Sequence, residues 1–196
     1  MSKSFQSVCV YCGSSSQAAS DFFRAADKLG QILASEHVSL VYGAGAVGLM
    51  GQLADSTLRH GGTVLGIIPR FMYDENWFHP NLSELLVVES MHERKEKMSA
   101  MADALIALPG GVGTMEELLE VITWKQLGLI NKPIVIVNVN DYYTPLLDML
   151  KRTVDNKFMR SKHLDMWTVV DDVNDVIPAL RNSLEWDENC RKFAAM

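Results

Sequence analysis

The sequence predicts a doubly wound α/β fold with a mainly parallel, Rossmann-like sheet, in a single domain over residues 1–196. Short apolar runs alternate along the chain with longer segments in which apolar residues recur at helical spacing. Uninterrupted apolar runs are typical of strands that helices cover on both faces, as in parallel sheets. Three turns rich in glycine or serine follow such runs, at residues 13–16, 43–48 and 110–114. We expect these turns at one edge of the sheet, where folds of this class bind ligands.

The first half of the chain supplies strands and helices in alternation. Gly61 and Gly62 end the second helix, because glycine readily adopts the backbone that terminates a helix. Pro69 ends the third strand, because proline cannot donate to the ladder. In order, the predicted elements are a strand at 8–11, a helix at 20–36, a strand at 38–42, a helix from the 43–48 turn to His60, and a strand at 63–68.

The second half continues the alternation after an aromatic segment, 71–82, that we expect to be irregular. Ser90 and Glu93 have the spacing of a capping box, which predicts the start of a helix. Thr114 has a hydroxyl suited to an N-cap and predicts the start of the next one. The methionines expected on the buried face of the first of these helices are Met91, Met98 and Met101. In order, the elements are a strand at 85–88, a helix at 90–102, a strand at 104–108, a helix at 114–127, a strand at 134–139, a helix at 144–156, a strand at 166–170 and a helix at 173–184.

Composition and charge argue against several classes of protein. The chain has 196 residues, of which 48% are hydrophobic and 21% charged, as is ordinary for a globular domain with a buried core. The formal net charge of -6 argues against a nucleic-acid partner, because non-specific binding needs a basic surface. No apolar run approaches the ~20 residues of a membrane span, and we expect no signal peptide. These observations favour a cytoplasmic protein without a membrane partner.

Cys9 and Cys12 have the spacing of redox and zinc pairs. They lie within the first predicted strand, where residues three apart point to opposite faces, and no second pair completes a zinc site. With Cys190 the cysteine count is odd, which does not suggest a disulfide framework. We therefore expect Cys9 and Cys12 to be small buried hydrophobic residues. The histidines are scattered and no aspartate cluster is present, so we expect no metal site.

The pattern over residues 104–127 predicts a buried strand, a glycine turn and a helix. Such a unit directs backbone N–H groups and the positive end of a helix dipole to one point, where phosphate is the usual occupant. The acids that follow at once are Glu116, Glu117 and Glu120. Glu117 could cap the backbone at Thr114, since the two have capping-box spacing. Alternatively, at least one acid faces a cationic or polyhydroxyl partner, such as a sugar or Arg94.

Arg94 and Lys95 occupy the first turns of the preceding helix, where the helix dipole disfavours cations. A negative group would offset that cost, and the candidates are a ligand phosphate and the acids Glu116 and Glu117. The alternative is a solvated basic turn with Glu96 nearby. This segment alone favours neither interpretation.

Residues 43–48 have the pattern Gly-x-Gly-x-x-Gly between a strand and a helix, as a dinucleotide-binding turn requires. Such a site also needs an acidic residue at the end of the next strand. Here that strand leads to Arg70, which could contact the 2′-phosphate of a phosphorylated nicotinamide dinucleotide. The other interpretation is a tight strand–helix turn with at most one phosphate contact.

Two motifs together resemble the paired signatures of the Lonely Guy (LOG) family, the cytokinin riboside 5′-monophosphate phosphoribohydrolases. The first is Met-His-Glu-Arg-Lys at residues 91–95. The second, at residues 109–117, matches the family pattern Pro-Gly-Gly-x-Gly-Thr-x-x-Glu at every fixed position. The similarity extends to residues 12–15, 43–51 and 118–126, and so over most of the chain. It implies a homodimeric Rossmann-like enzyme without a cofactor, which hydrolyses the N-glycosidic bond of a purine nucleoside 5′-monophosphate.

The resemblance also implies roles for particular residues. Arg94 and Glu117 match the catalytic positions of the family. Residues 110–114 match its phosphate loop, and Glu75 corresponds to an acid in the loop after the Ile-Pro segment, although the residues around it depart from the family pattern. The implied substrate-binding residues are Ser14, Gly45, Glu75, Lys95, Gly110, Gly111, Val112, Gly113, Thr114, Glu116 and Thr123.

The chemistry of such a reaction agrees with the pattern of residues. Cleavage of an N-glycosidic bond develops positive charge on the ribose, which a carboxylate near the anomeric carbon stabilises. We expect Glu117 to act in this way or as a base, and Arg94 to position Glu117 and the substrate. The alternatives are a general AMP nucleosidase and a non-catalytic nucleotide-binding module. Lysine decarboxylase, a label that family members have carried, would need pyridoxal phosphate and a Schiff-base lysine, and the sequence singles out none.

Overall fold

The computed structural model describes residues 4–186 and contains a seven-stranded sheet in which all the paired strands run parallel. The strands are β1 (Ser7–Tyr11), β2 (Ser39–Tyr42), β3 (Val64–Pro69), β4 (Glu84–Val88), β5 (Ala104–Ala107), β6 (Ile134–Val137) and β7 (Thr168–Val170). The helices are α1 (Ser20–Ser35), α2 (Gly48–Arg59), α3 (Arg70–Asp74), α4 (Met91–Ala100), α5 (Val112–Gln126), α6 (Thr144–Asp155) and α7 (Val176–Arg181). The spatial strand order is β4-β3-β2-β1-β5-β6-β7. The predicted doubly wound, Rossmann-like fold is confirmed, and its sheet is parallel throughout.

The alternation of side chains along β1 divides the core into two layers. Val10 and Cys12 pack in the layer of α1, α2 and α7, whereas Cys9 and Tyr11 pack in the layer of α4, α5 and α6. The two cysteines are therefore buried on opposite faces, as predicted, and burial raises the pKa of both thiols. Cys190 lies outside the described residues. Within residues 4–186, every helix is too short or too polar to cross a membrane.

The sheet changes its direction of growth between β1 and β5. From β1 the chain adds β2, β3 and β4 on one side, and then returns to place β5 on the other side of β1. The connections after β1 and β5 lead to helices on opposite faces, which opens a crevice at the carboxyl ends of these strands. The N–H of Gly13 donates to the carbonyl of Pro109 (3.0 Å), and a Cβ at Gly13 would lie 3.1 Å from the Cα of Gly110. Glycine at position 13 therefore lets the two loops approach closely.

The start of α4 agrees with the prediction from the sequence, whereas the start of α5 differs from it. α4 starts at the predicted capping residue, because Ser90 Oγ accepts the N–H of Glu93 at 3.1 Å. α5 starts at Val112 with Gly111 as its N-cap, so the prediction that Thr114 begins this helix is wrong. The segment between β3 and β4, predicted to be irregular, begins with the short helix α3.

The methionine prediction for α4 is wrong in two of three positions. Met98 is buried, but Met91 is 38% exposed and Met101 is 42% exposed. The buried face of α4 carries Arg94 and Lys95 instead. Burial of two adjacent cations is costly unless they are paired, so this face of α4 points to a site rather than to ordinary packing.

Candidate functional site

A cavity of about 580 Å³ lies in the crevice, and we call it the central cavity. The turns after β1, β2 and β5 all contribute to its lining, together with α4 and the segment after β3. The three polar turns that the sequence predicts at one edge of the sheet therefore meet there, as expected for this fold. Of the predicted site residues, those that line the cavity are Ser14, Gly45, Arg94, Gly111, Gly113, Thr114, Glu116 and Glu117.

The turn after β5 presents an open helix N-terminus to the central cavity. Gly111 is the N-cap of α5 and offers no side-chain acceptor to the helix. The first amides of an α-helix have no carbonyl acceptor one turn back. The N–H groups of Val112, Gly113 and Thr114 therefore form, with the helix dipole, an arrangement that suits a phosphate.

Thr114 and Glu117 do not form the capping box that their spacing allows. Thr114 is the third residue of α5 and is buried. A Cβ at Gly110 would lie 2.1 Å from Thr114 Oγ1, so the threonine packs closely against the glycine turn. Glu117 faces Arg94 instead of the helix N-terminus. The interpretation in which an acid faces a cationic partner is confirmed for this residue.

Arg94 extends from α4 into the cavity with its side chain 8% exposed. Nε donates to the carbonyl of Ile67 (3.1 Å), and Nη2 donates to the carbonyl of Gly43 (2.9 Å). Nη1 lies 3.7 Å from Oε1 of Glu117. A Cβ at Gly43 would lie 1.8 Å from Nη2, so glycine is required there to leave room for the guanidinium. The alternative of a solvated basic turn is therefore wrong.

Glu117 reaches the same cavity from α5, with its side chain 13% exposed. Burial raises the pKa of its carboxyl to about 7. The positive charge of Arg94 opposes this rise, and the negative charge of Glu116 adds to it. Near neutral pH the carboxyl can therefore both accept and release a proton, as a general base requires.

Lys95 is buried beside Arg94 but does not line the central cavity, and it joins α4 to α5. Its Nζ donates to the carboxylate of Glu116 and to Oε1 of Glu120, the latter at 3.0 Å. Burial alone would lower the pKa of Lys95, but the hydrogen bonds and the negative charges of the two carboxylates together outweigh burial and raise it. Oε2 of Glu120 is buried and has no hydrogen-bond partner among the described residues. Lys95 therefore links the two helices that carry Arg94 and Glu117.

Part of the lining of the central cavity is apolar, and we call it the apolar wall. Met72 and Trp77 come from the segment after β3, Met50 comes from α2, and Met91 and Met98 come from α4. Trp77 is 57% exposed, so this wall borders the solvent. Flexible thioether side chains adapt to ligands of different shape, which suits an apolar group of variable size.

The remaining predicted site residues do not line the cavity. Glu75 is exposed at the C-cap of α3, and Thr123 is exposed on α5, where its Oγ1 donates to the carbonyl of Leu119 (2.8 Å). Gly110 lines a second cleft together with Tyr142, and the side chain of Val112 is exposed. Their substrate contacts, like that of Lys95, stay predictions from the resemblance.

The turn at residues 43–48 packs closely against the loop after β1. It follows β2, whereas the sheet reverses between β1 and β5. Gly48 adopts a φ of 65°, and a Cβ there would lie 2.3 Å from the carbonyl carbon of Ser14. Arg70, the candidate for a 2′-phosphate, is exposed and lies 5.6 Å from the ring centroid of Tyr73. These contacts favour the tight-turn interpretation over a dinucleotide site.

Sequence reasoning missed one residue beside the glycine turn after β5. The hydroxyl of Tyr142, in the loop after β6, donates to the carbonyl of Gly110. The two residues are 32 positions apart, so no local pattern could reveal the contact. In residues 4–186 no three His, Cys, Asp or Glu side chains are grouped so that they could hold a metal ion.

Comparison with known proteins identifies the family. A family model described as "Possible lysine decarboxylase" matches residues 50–180. A cytokinin riboside 5′-monophosphate phosphoribohydrolase of Arabidopsis thaliana is 47% identical over 156 residues, which are 79% of this chain and 71% of that protein. Another, of Rhodococcoides fascians, is 43% identical over 178 residues, which are 90% of both chains. The solved molybdenum cofactor carrier protein of Chlamydomonas reinhardtii has a TM-score of 0.67 at 20% identity, over 88% of this chain and 94% of that one, and is similar in fold alone. The chain belongs to the Lonely Guy (LOG) family of cytokinin riboside 5′-monophosphate phosphoribohydrolases.

Proposed function

We propose that this protein hydrolyses the N-glycosidic bond of cytokinin-type, N6-modified adenine nucleoside 5′-monophosphates and releases the base and ribose 5-phosphate. The two relatives described above are named for this activity. The observation that carries the proposal is the buried Arg94–Glu117 pair, which shares one cavity with the open N-terminus of α5. A phosphate bound by the helix amides would hold the attached ribose close to the carboxylate.

In the proposed reaction a water molecule attacks the anomeric carbon while the bond to the base nitrogen breaks. The electron pair of that bond leaves with the base, which takes up a proton, and positive charge develops on the ribose ring. The ionised carboxyl of Glu117 stabilises this charge and accepts a proton from the attacking water. Arg94, held by the carbonyls of Ile67 and Gly43, keeps Glu117 in position and contacts the substrate.

The apolar wall supports an N6-modified base over plain adenine. Met50, Met72, Met91 and Trp77 offer adaptable apolar surface to a group attached to the purine. The second candidate is a general AMP nucleosidase. It is supported by the phosphate-binding turn and the Arg94–Glu117 pair, which would act on the phosphoribose whatever the base.

The family description also mentions lysine decarboxylation. That reaction requires pyridoxal phosphate and a lysine that forms a Schiff base. The described residues that line the central cavity include no lysine, and Lys95 is held by the carboxylates of Glu116 and Glu120. We therefore do not propose decarboxylation for this chain.

The direct test incubates the purified protein with AMP and, separately, with isopentenyladenosine 5′-monophosphate, and measures free base and ribose 5-phosphate by chromatography. We expect equal amounts of the two products and a higher kcat/KM with the isopentenyl substrate. Equal kcat/KM for the two substrates would favour the general nucleosidase. Binding of either nucleotide without release of any base would support a non-catalytic module and overturn the proposal.

We also propose that the protein forms a homodimer through α5. Val112 and Leu119 lie on one stripe of this helix, and Leu127 continues the stripe at the C-cap; they are 83%, 36% and 43% exposed. Thr123 lies on the same stripe, so the substrate contact implied for it would require the cavity of a second copy. Light scattering should give the mass of a dimer for the wild type and of a monomer for Leu119→Glu. A monomeric wild type would contradict this arrangement.

A further inference from the structure

The loop after β6 holds a tyrosine against the back of the phosphate-binding turn. It forms a 3₁₀ turn, Val139–Asp141, in which Asn140 (φ 52°) and Asp141 (φ 56°) both have left-handed backbone. Consecutive left-handed residues other than glycine are uncommon and cost energy. This strained turn brings the hydroxyl of Tyr142 to the carbonyl oxygen of Gly110.

The bond to Gly110 has a consequence for Gly111, because the C=O of one residue and the N–H of the next belong to one planar peptide unit. In a trans peptide these two groups point in opposite directions. Tyr142 binds the C=O from the side of a second cleft, which Phe22 also lines. The N–H of Gly111 therefore points away from the Tyr142 hydroxyl, and Gly111 borders the central cavity as well as the second cleft.

The orientation of this peptide is not fixed by side chains of its own. It joins two glycines, which have no side chain to oppose a flip, and a Cβ at Gly111 would meet nothing within 4 Å. The tyrosine is itself held in place, because its ring meets that of Phe22 edge to face with the centroids 5.5 Å apart. A hydrogen bond to the C=O also polarises the peptide and makes its N–H a better donor.

We propose that Tyr142 is a positioning residue that directs the N–H of Gly111 at the 5′-phosphate of the substrate. This inference rests on the proposed function, which supplies the phosphate. Tyr142 touches no reacting atom and acts through the peptide between Gly110 and Gly111. Loss of its hydroxyl should therefore lower the affinity for ligands that carry the phosphate and leave the affinity for the free base unchanged.

Tyr142→Phe tests the proposal, because it removes the hydroxyl and keeps the ring. We expect the Kd of ribose 5-phosphate, measured by calorimetry, to rise about 5- to 20-fold, and the KM of the nucleotide to rise with it. The inhibition constant of free adenine should stay within about twofold of the wild-type value. Tyr143→Phe is the matched control, since its hydroxyl donates to the carbonyl of Leu108 at 2.8 Å, before the turn. It should lower Tm and leave the Kd of ribose 5-phosphate unchanged.

A second variant covers the case in which Tyr142→Phe fails to fold. Phe22→Leu loosens the ring of Tyr142 without removing its hydroxyl. It should raise the Kd of ribose 5-phosphate by a smaller factor than Tyr142→Phe does. An unchanged Kd of ribose 5-phosphate in Tyr142→Phe would overturn the positioning role. So would an equal loss of affinity for ribose 5-phosphate and for adenine. Because this binding is measured without turnover, a wild type that binds ribose 5-phosphate but releases no base would overturn only the proposed function.

Discussion

Nη1 of Arg94 lies 3.7 Å from Oε1 of Glu117, and both side chains are largely buried between α4 and α5. This separation is longer than a hydrogen bond, so the two charges attract each other without closing a bidentate pair. The carboxyl of Glu117 keeps acceptor capacity for water or a sugar. The positive charge of Arg94 also limits the rise that burial causes in the pKa of Glu117.

The reaction rate should follow the ionisation of Glu117. Its pKa is raised to about 7 by burial, and the active form is the carboxylate, so kcat/KM should rise with pH and level off above about pH 8. The charged neighbours that act on this pKa are Arg94, Lys95, Glu116 and Glu120. A pH–rate profile measures the effect, and the residual activity of Glu117→Gln should be independent of pH. A wild-type profile that is flat through pH 7 would contradict the assigned role.

The same ionisation should make the folded protein less stable at neutral pH than at mildly acidic pH. Because the pKa of Glu117 in the folded state lies above its ordinary value of 4.5, the folded state binds the proton more tightly, and stability falls as pH rises from about 4.5 to about 7. Glu117→Gln, which does not titrate, should exceed the wild type in free energy of unfolding by up to about 3 kcal/mol at pH 8 and by little near pH 4.5. Urea denaturation at both pH values measures this difference. Glu96→Gln on the exposed side of α4 is the control and should show no such trend.

Gly43→Ala should abolish most activity at little cost in stability. The new Cβ would lie 1.8 Å from Nη2 of Arg94, and the flexible arginine can move aside, losing its bond to the carbonyl of residue 43. We expect kcat/KM to fall about 10²- to 10³-fold, because a displaced arginine no longer positions Glu117 and the substrate. A double-mutant cycle with Arg94→Ala shows whether the loss of activity in Gly43→Ala arises from the displaced arginine. If Gly43→Ala acts through Arg94, adding it to Arg94→Ala should cost no further activity, and a full additional loss would show another cause.

Lys95→Met distinguishes a helix-bridging lysine from a phosphate ligand. Removal of the ammonium leaves Glu116 and Glu120 without their shared partner and takes a positive charge away from Glu117. The pKa of Glu117 should then rise, so the pH–rate profile should shift to higher pH and Tm should fall. Lys97→Met on the exposed side of the same helix is the matched control. A weakened Kd for ribose 5-phosphate with an unshifted profile would instead support direct phosphate contact.

The sequence could predict the features that depend on local pattern. Apolar runs that alternate with helical segments predicted the parallel sheet, and the glycine turn after β5 predicted a strand–turn–helix unit at the sheet edge, whose anion site stays a prediction. The failures arise where tertiary contacts override local rules. α5 begins at Val112 because the glycine turn packs on Gly13 and Thr114, not because a hydroxyl caps the helix. α4 buries Arg94 rather than Met91, because the cavity supplies carbonyls and a carboxylate for the cation.

Turnover by Glu117→Gln tests the role of the buried carboxylate most directly. The variant removes the negative charge and leaves the glycine turn after β5 intact. We expect the release of base from isopentenyladenosine 5′-monophosphate to slow by about 10²- to 10⁴-fold, while the Kd of ribose 5-phosphate stays within a few-fold of the wild-type value. Release of the base at the wild-type rate by Glu117→Gln would contradict the account.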